Sequence, residues 1–189
     1  NGISVSSGSR VIGNTAYRNG WRGIDTGHSS IVSDNISTYS GRNGIRTTHS
    51  CTVSGNKVRR SHYNGIKTGH SCTIIDNTAY RNRLDGYWIG PDSILRGNIA
   101  RQNEQAGIIA HAGSVVSGNL ASDNSLSGIV ASICTVSRNT AHGNDEDGFK
   151  IYDTSTVIGN TSVGNGDFGI FLYSGGEPSG YKNNVLSKN

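Results

Sequence analysis

Three charged residues and three histidines recur at one spacing in this chain. Asp25, Arg46 and Lys67 stand 21 residues apart, and His28, His49 and His70 each follow one of them by three positions. Arg46 or Lys67 can pair with a carboxylate on an anionic ligand. A histidine can act as a base near neutral pH, which makes His49 and His70 candidates for that role. Neighbouring histidines at this spacing can approach one metal ion, but no carboxylate or cysteine in their column completes a tetrahedral set. The competing reading is a turn residue copied with its repeat and left in solvent.

The spacing belongs to the whole chain. A glycine followed by an apolar residue falls at Gly2, Gly23, Gly44, Gly65, Gly86, Gly107, Gly128, Gly148 and Gly169, every step being 21 residues except one of 20. Asparagine recurs in the same register at Asn14, Asn35, Asn56, Asn77, Asn98, Asn119, Asn139, Asn160 and Asn184. A fixed period of this length means a solenoid in which each copy is one structural unit. With 27 Gly, 7% aromatic and 16% charged residues, the 189-residue chain suits short strands joined by tight turns and not a helical bundle. No run of 18 apolar residues occurs, so no membrane insertion is expected. The chain contains no Met, opens on a repeat at Asn1-Gly2-Ile3 and stops at Asn189. It is therefore expected to be one domain over residues 1–189 and a segment of a longer parent, which, or another subunit, would cover its two uncapped ends.

Within one coil, Gly65-Ile66-Lys67-Thr68 alternates, with Ile66 and Thr68 inward and Lys67 outward. Cys72, Ile74 and Asn77 share the next buried face, and Ala79 points inward after a bend at Asn77. Three short strands per coil follow, giving three buried columns: one led by Ile3 and Ile24, one by Val11 and Val32, and a small-residue one by Ala16 and Ser37. Stacked at about 4.8 Å, nine coils make a parallel β-helix about 43 Å long. Asparagine tolerates left-handed backbone and is placed at the bend, its stacked amides forming an Asn ladder. The crossover sense is expected to be right-handed.

The Gly-Ile start, the Ser-x-Val-x-x-Asn second strand and the Asn ladder resemble the right-handed parallel β-helix repeat of the pectate-lyase-like superfamily. The resemblance covers the entire chain. It implies an all-β, single-stranded right-handed parallel β-helix of nine coils of about 21 residues. It also implies secretion, cell-surface display or a periplasmic location. In that superfamily, enzymes act on uronic-acid polymers over the first-strand face, where a basic residue neutralises the carboxylate and a second group removes the C5 proton. Carried onto this chain, the catalytic candidates are Asp25, Arg46, His49, Lys67 and His70. Gly23-Ile24-Asp25-Thr26-Gly27-His28 resembles the Asp-Pro-His motif of alginate epimerases, with Thr26 and Gly27 in place of the Pro. One fold carries many functions, so the resemblance reaches the fold further than the activity. The turns are minimal almost everywhere; the longest irregular loop is Ser174–Gly180.

Other groups can bind. Beside the catalytic candidates, His28 and Trp88 are candidates for holding substrate, as are Tyr17, Arg59, Arg60, Tyr80 and Arg81 on the third-strand face. Aromatic rings stack on sugars and on bases, and Arg takes oxyanions in a fork. Residues 1–105 carry 13 Lys and Arg against 6 Asp and Glu, which suits an anionic polysaccharide. No nucleic-acid reader motif appears. Asp145, Asp147 and Asp167 concentrate acid at the third turn, where Ca2+ is a possible ligand, although no calcium-loop spacing is present. Cys51, Cys72 and Cys134 replace Ser in an inward column and are expected to be free thiols. Ile31, Thr52, Thr73, Ile94, Val115, Thr135 and Thr156 form a β-branched outer row that β-propensity alone can explain. The functional expectation is an extracellular module that binds, and as a lyase or C5-epimerase modifies, an anionic polysaccharide. The alternative is a non-catalytic structural or adhesive segment. A copper-delivery role is disfavoured because Met is absent.

Overall fold

The computed structural model describes residues 1–173 and 180–189. The loop expected at 174–180 therefore lies, but for Gly180, outside the described residues. Among them the chain forms 27 strands of three or four residues in three nine-stranded sheets, and no helix. Every strand pairs in parallel with the same strand of the neighbouring coils. Gly before an apolar residue opens each first strand, because the chain packs there against the backbone of the next coil. A Cβ at Gly86 would lie 2.6 Å from the Gly107 carbonyl oxygen.

The register carries no slip between coils. Ile45 sits over Ile66, and Ile66 over Tyr87, in the first sheet. Val53, Ile74 and Leu95 stack in the second sheet, and Val58, Ala79 and Ala100 in the third. These residues are buried, and each buried Ile contributes about 2 kcal/mol of apolar transfer. Tyr87 takes an Ile position without an orphaned hydroxyl, because its Oη donates to the Asn77 carbonyl at 2.7 Å. In the ninth coil Tyr181 and Leu186 are exposed.

The Asn ladder runs the length of the molecule. Oδ1 of Asn77 accepts from the backbone N–H of Asn56 and from its Nδ2, both at 2.9 Å. The same Asn56 amide donates to the Val32 carbonyl at 2.8 Å. One expectation is corrected here. The left-handed residue at the bend is not the Asn but the residue before it, as at Asp34, Gly55, Asp76 and Gly97. The Asn instead turns its amide inward, where it satisfies backbone groups that the bend leaves without strand partners.

Two further ladders were not read from the sequence. At the third turn Asn82, Asn103, Asn124, Asn144, Asn165 and Asn189 link amide to amide at 2.8 to 2.9 Å. Ahead of the second strands, the N–H of Cys72 donates to Ser93 Oγ at 3.1 Å and that of Ser93 to Ser114 Oγ at 3.2 Å. Cys51 N–H meets Cys72 Sγ in the same way at 3.4 Å, so cysteine keeps serine's acceptor role.

Candidate functional site

The first sheet brings the charged residues of the opening observation into one column. Asp25, Arg46, Lys67 and Trp88 are register partners on its outer face. Beside them at the first turn, the rings of His28, His49 and His70 stack with centroids 4.9 Å apart and interplanar angles of 14° and 3°. That spacing is the rise of one coil, so the rings are aligned by the backbone repeat. Arg46, His49, Lys67, His70 and Trp88 line one shallow cleft of about 220 Å3.

The charges in this cleft are unequally compensated. Asp25 accepts from Arg22 at 2.8 Å and from Arg46 at 3.2 Å. It thus fixes Arg46 and is itself neutralised by two guanidiniums. Among the described residues Lys67 has no carboxylate partner within ion-pair distance; its Nζ lies 4.0 Å over the centroid of Trp88. His111 meets the same indole edge-on at 4.7 Å. Trp88 is therefore engaged within the chain, by a cation on its face and an imidazole at its side.

Two groups beside Lys67 were missed. His111 Nε2 is buried without a hydrogen-bond partner among the described residues, and burial, reinforced by Lys67, holds its pKa below the ordinary histidine value. It falls one residue ahead of the His28 register, so the 21-residue count passed over it. Asp85 is buried with 9% exposure, and Oδ1 accepts from the Ala106 N–H at 3.2 Å. Burial pushes its pKa up to about 6, against the pull of that hydrogen bond and of Lys67. A signal for it existed: Asp85 follows Asn43 and Asn64 at the repeat spacing, an acid where two coils carry an amide.

The third-strand candidates also come together, but around one another. Tyr17, Thr38, Arg59, Tyr80 and Arg101 share one column. Arg18 and Arg60 lie over the Tyr39 ring, with the Arg60 guanidinium bonded to the Tyr39 hydroxyl. Arg81 and Arg101 lie over Tyr80, at 4.9 and 5.1 Å. At the third turn Arg42 is set over Trp21 at 3.6 Å and over Tyr63 at 5.4 Å, a stack the sequence reading did not pick out. A coil rise of about 4.8 Å also suits a cation set over a ring of the neighbouring coil.

Among the described residues no three His, Cys, Asp or Glu side chains lie close enough to hold an ion. Asp147 is buried, accepts from the Phe168 N–H at 3.1 Å and stands 3.9 Å from Lys150, while Asp145 and Asp167 face solvent. The three cysteines are buried free thiols, as expected, and burial pushes the Cys134 thiol up. The β-branched row of the second sheet stacks in register, with Thr52 over Thr73 and Thr73 over Ile94.

Known proteins support the architecture. The A-module of Azotobacter vinelandii mannuronan C-5 epimerase AlgE6 superposes with a TM-score of 0.72 at 17% identity, over 97% of this chain and 58% of its own. Pectate lyase Pel9A gives 0.71 at 17%, over 93% and 60%. PfbA, a surface adhesin of Streptococcus pneumoniae, gives 0.56 at 9%, over 97% and 62%. The chain thus spans less than two thirds of each of these structures, and at such identities the likeness speaks for the fold alone. No curated protein sequence matches it. No helix among the described residues is long and apolar enough to cross a membrane. The family model described as "Right handed beta helix region" matches residues 43–187, and with its three parallel sheets and unslipped register the chain belongs to that family.

Proposed function

We propose that the chain is a secreted, periplasmic or cell-surface β-helix module that binds an anionic polysaccharide across the first-sheet face of coils two to five. The observation that carries this reading is Lys67, in a cleft shared with Arg46, His49, His70 and Trp88. Among the described residues this cation has no carboxylate within ion-pair distance and only the more remote Asp85 to attract it. A carboxylate placed there replaces solvent as the partner of that ammonium, and the imidazole edges of His49 and His70 offer it hydrogen bonds. Neighbours named as a mannuronan C-5 epimerase and a pectate lyase are in line with such a ligand. If turnover occurs, His49 or His70 would be the base, since Asp25 is held by two arginines.

The locked Asp25 and the small cleft favour binding without turnover as the second reading, in line with a neighbour named as a surface adhesin. Titration calorimetry against oligomannuronate, oligogalacturonate and a neutral glucan tests both. Binding of an acidic oligosaccharide but not of the glucan, weakened about tenfold in Lys67→Ala, is expected. Equal affinity for the neutral chain, or no response to Lys67→Ala, removes the reading. Ultraviolet detection of unsaturated ends and NMR of the recovered polymer then separate lyase, epimerase and pure binder.

A further inference from the structure

The outer face of the third sheet holds a larger concavity than the first-sheet cleft. It is an open trough of about 780 Å3, with Ile36, Ile99 and Leu120 along one side and Arg59, Tyr80 and Arg101 along the other. Ile36 and Ile99 are exposed, at 41% and 38%. Lys57 also lines the trough, and Arg60 and Arg81 flank it at the residue after each third strand.

These cations are held by neutral partners. Arg59 Nε donates to Thr38 Oγ1 at 3.3 Å, Arg81 Nε to Gln102 Oε1 at 3.0 Å, and Arg60 bonds the Tyr39 hydroxyl. Arg81 and Arg101 cover Tyr80. Among the described residues the ion pairs lie elsewhere, on Asp25 and Lys150, apart from His142, which stands 4.0 Å from Asp123 at the far end of the trough. Glu104 shares a hollow with Arg81 and Arg83 and pairs with neither within ion-pair distance. The guanidiniums are thus positioned, yet their charge is uncompensated. Lys57, Arg59, Arg60, Arg81 and Arg101 fall within three successive coils, about 10 Å of axis at the strand spacing.

We propose that this trough is a second binding track, for a sulfated polysaccharide, separate from the first-sheet cleft. Fixed guanidinium forks match the oxygens of a sulfate. Cations this closely spaced call for a polymer with more than one anionic group per sugar. The apolar side of the trough meets the C–H faces of sugar rings. Single-stranded nucleic acid needs open aromatic faces for its bases, and Tyr39 and Tyr80 are covered by arginine. A duplex would touch phosphates only and leave the apolar side unused.

Fluorescence anisotropy on the whole chain tests the proposal. The probes are labelled oligosaccharides of heparin type, an oligouronate of equal length, a single-stranded oligonucleotide and a duplex. The Arg59→Ser/Arg101→Ser double variant, both positions exposed, should keep its circular dichroism and melting temperature. It should bind the sulfated probe about tenfold or more weakly, with Lys67→Ala within about twofold of the parent protein. Insensitivity to the double variant overturns the proposal. So does an equal loss in Lys67→Ala, which means one shared site, or tighter binding of either nucleic acid than of the sulfated probe. Because the readout is the sulfated probe on third-sheet variants, failure of the first-sheet cleft to bind an oligouronate leaves this result intact.

Discussion

Asp85→Asn should make the protein more stable at neutral pH, and the reason lies in where the carboxyl sits. Asp85 is buried, one coil beyond Asn64 and two beyond Asn43, which carry an amide at the same place. Its Oδ1 accepts one backbone hydrogen bond, from Ala106, and an Asn side chain can accept the same bond. Burial raises the folded-state pKa to about 6, well above the ordinary carboxylate range of an unfolded chain. The folded protein therefore binds this proton more tightly than the unfolded chain does. Stability from this group is fully present below pH about 4, is lost as pH rises to about 6, and is flat above that. The ionised carboxylate is penalised by about 3 kcal/mol at pH 8, less the small attraction of Lys67 that the variant also loses. Melting of parent and variant at pH 4 and pH 8 is the assay. The two proteins should melt together at pH 4. At pH 8 the variant should melt higher, by roughly 2–4 °C per kcal/mol for a chain of this size. A variant that melts below the parent at pH 8, or an unchanged difference between the two pH values, would refute the reasoning. A buried acid kept at such a cost beside Lys67 also makes Asp85 worth testing for binding.

Two further outcomes follow from the ladders and the core. Asn77→Ala removes the acceptor of two Asn56 donors and the donor to the Val53 and Ile75 carbonyls, all but the last of these bonds fully buried. It should cost about 3–5 kcal/mol, whereas Asn14→Ala at the half-buried first rung should cost about 1 kcal/mol. Urea unfolding of the two variants checks this, and equal costs would mean that the ladder does not act as a buried network. Cys51, Cys72 and Cys134 should all resist a thiol-specific reagent in the native protein, because burial keeps the reagent out even though the Cys72 side chain lowers the Cys51 thiol pKa to about 6, and react fully in denaturant. Native labelling of any one of them would show that its column opens.

How much could be read without the fold depended on whether meaning lay in the period or in neighbours across coils. A repeat of 21 residues with apolar, small and Asn positions in phase leaves one economical arrangement, because each copy can bury its apolar faces only against the next. From that alone came the three sheets, the buried columns, the Asn ladder and the alignment of Asp25, Arg46 and Lys67 beside the three histidines. The period could not say which of these groups was already partnered. Arg22, three residues before Asp25 and outside the column of charged residues, joins Arg46 in neutralising that acid. His111 stands one position out of phase and still reaches Trp88, because side chains bridge the step between coils that counting cannot see. Burial decided the rest: Asp85 and Asn64 occupy one register, and only the low-dielectric surroundings of the folded chain make the acid differ from the amide.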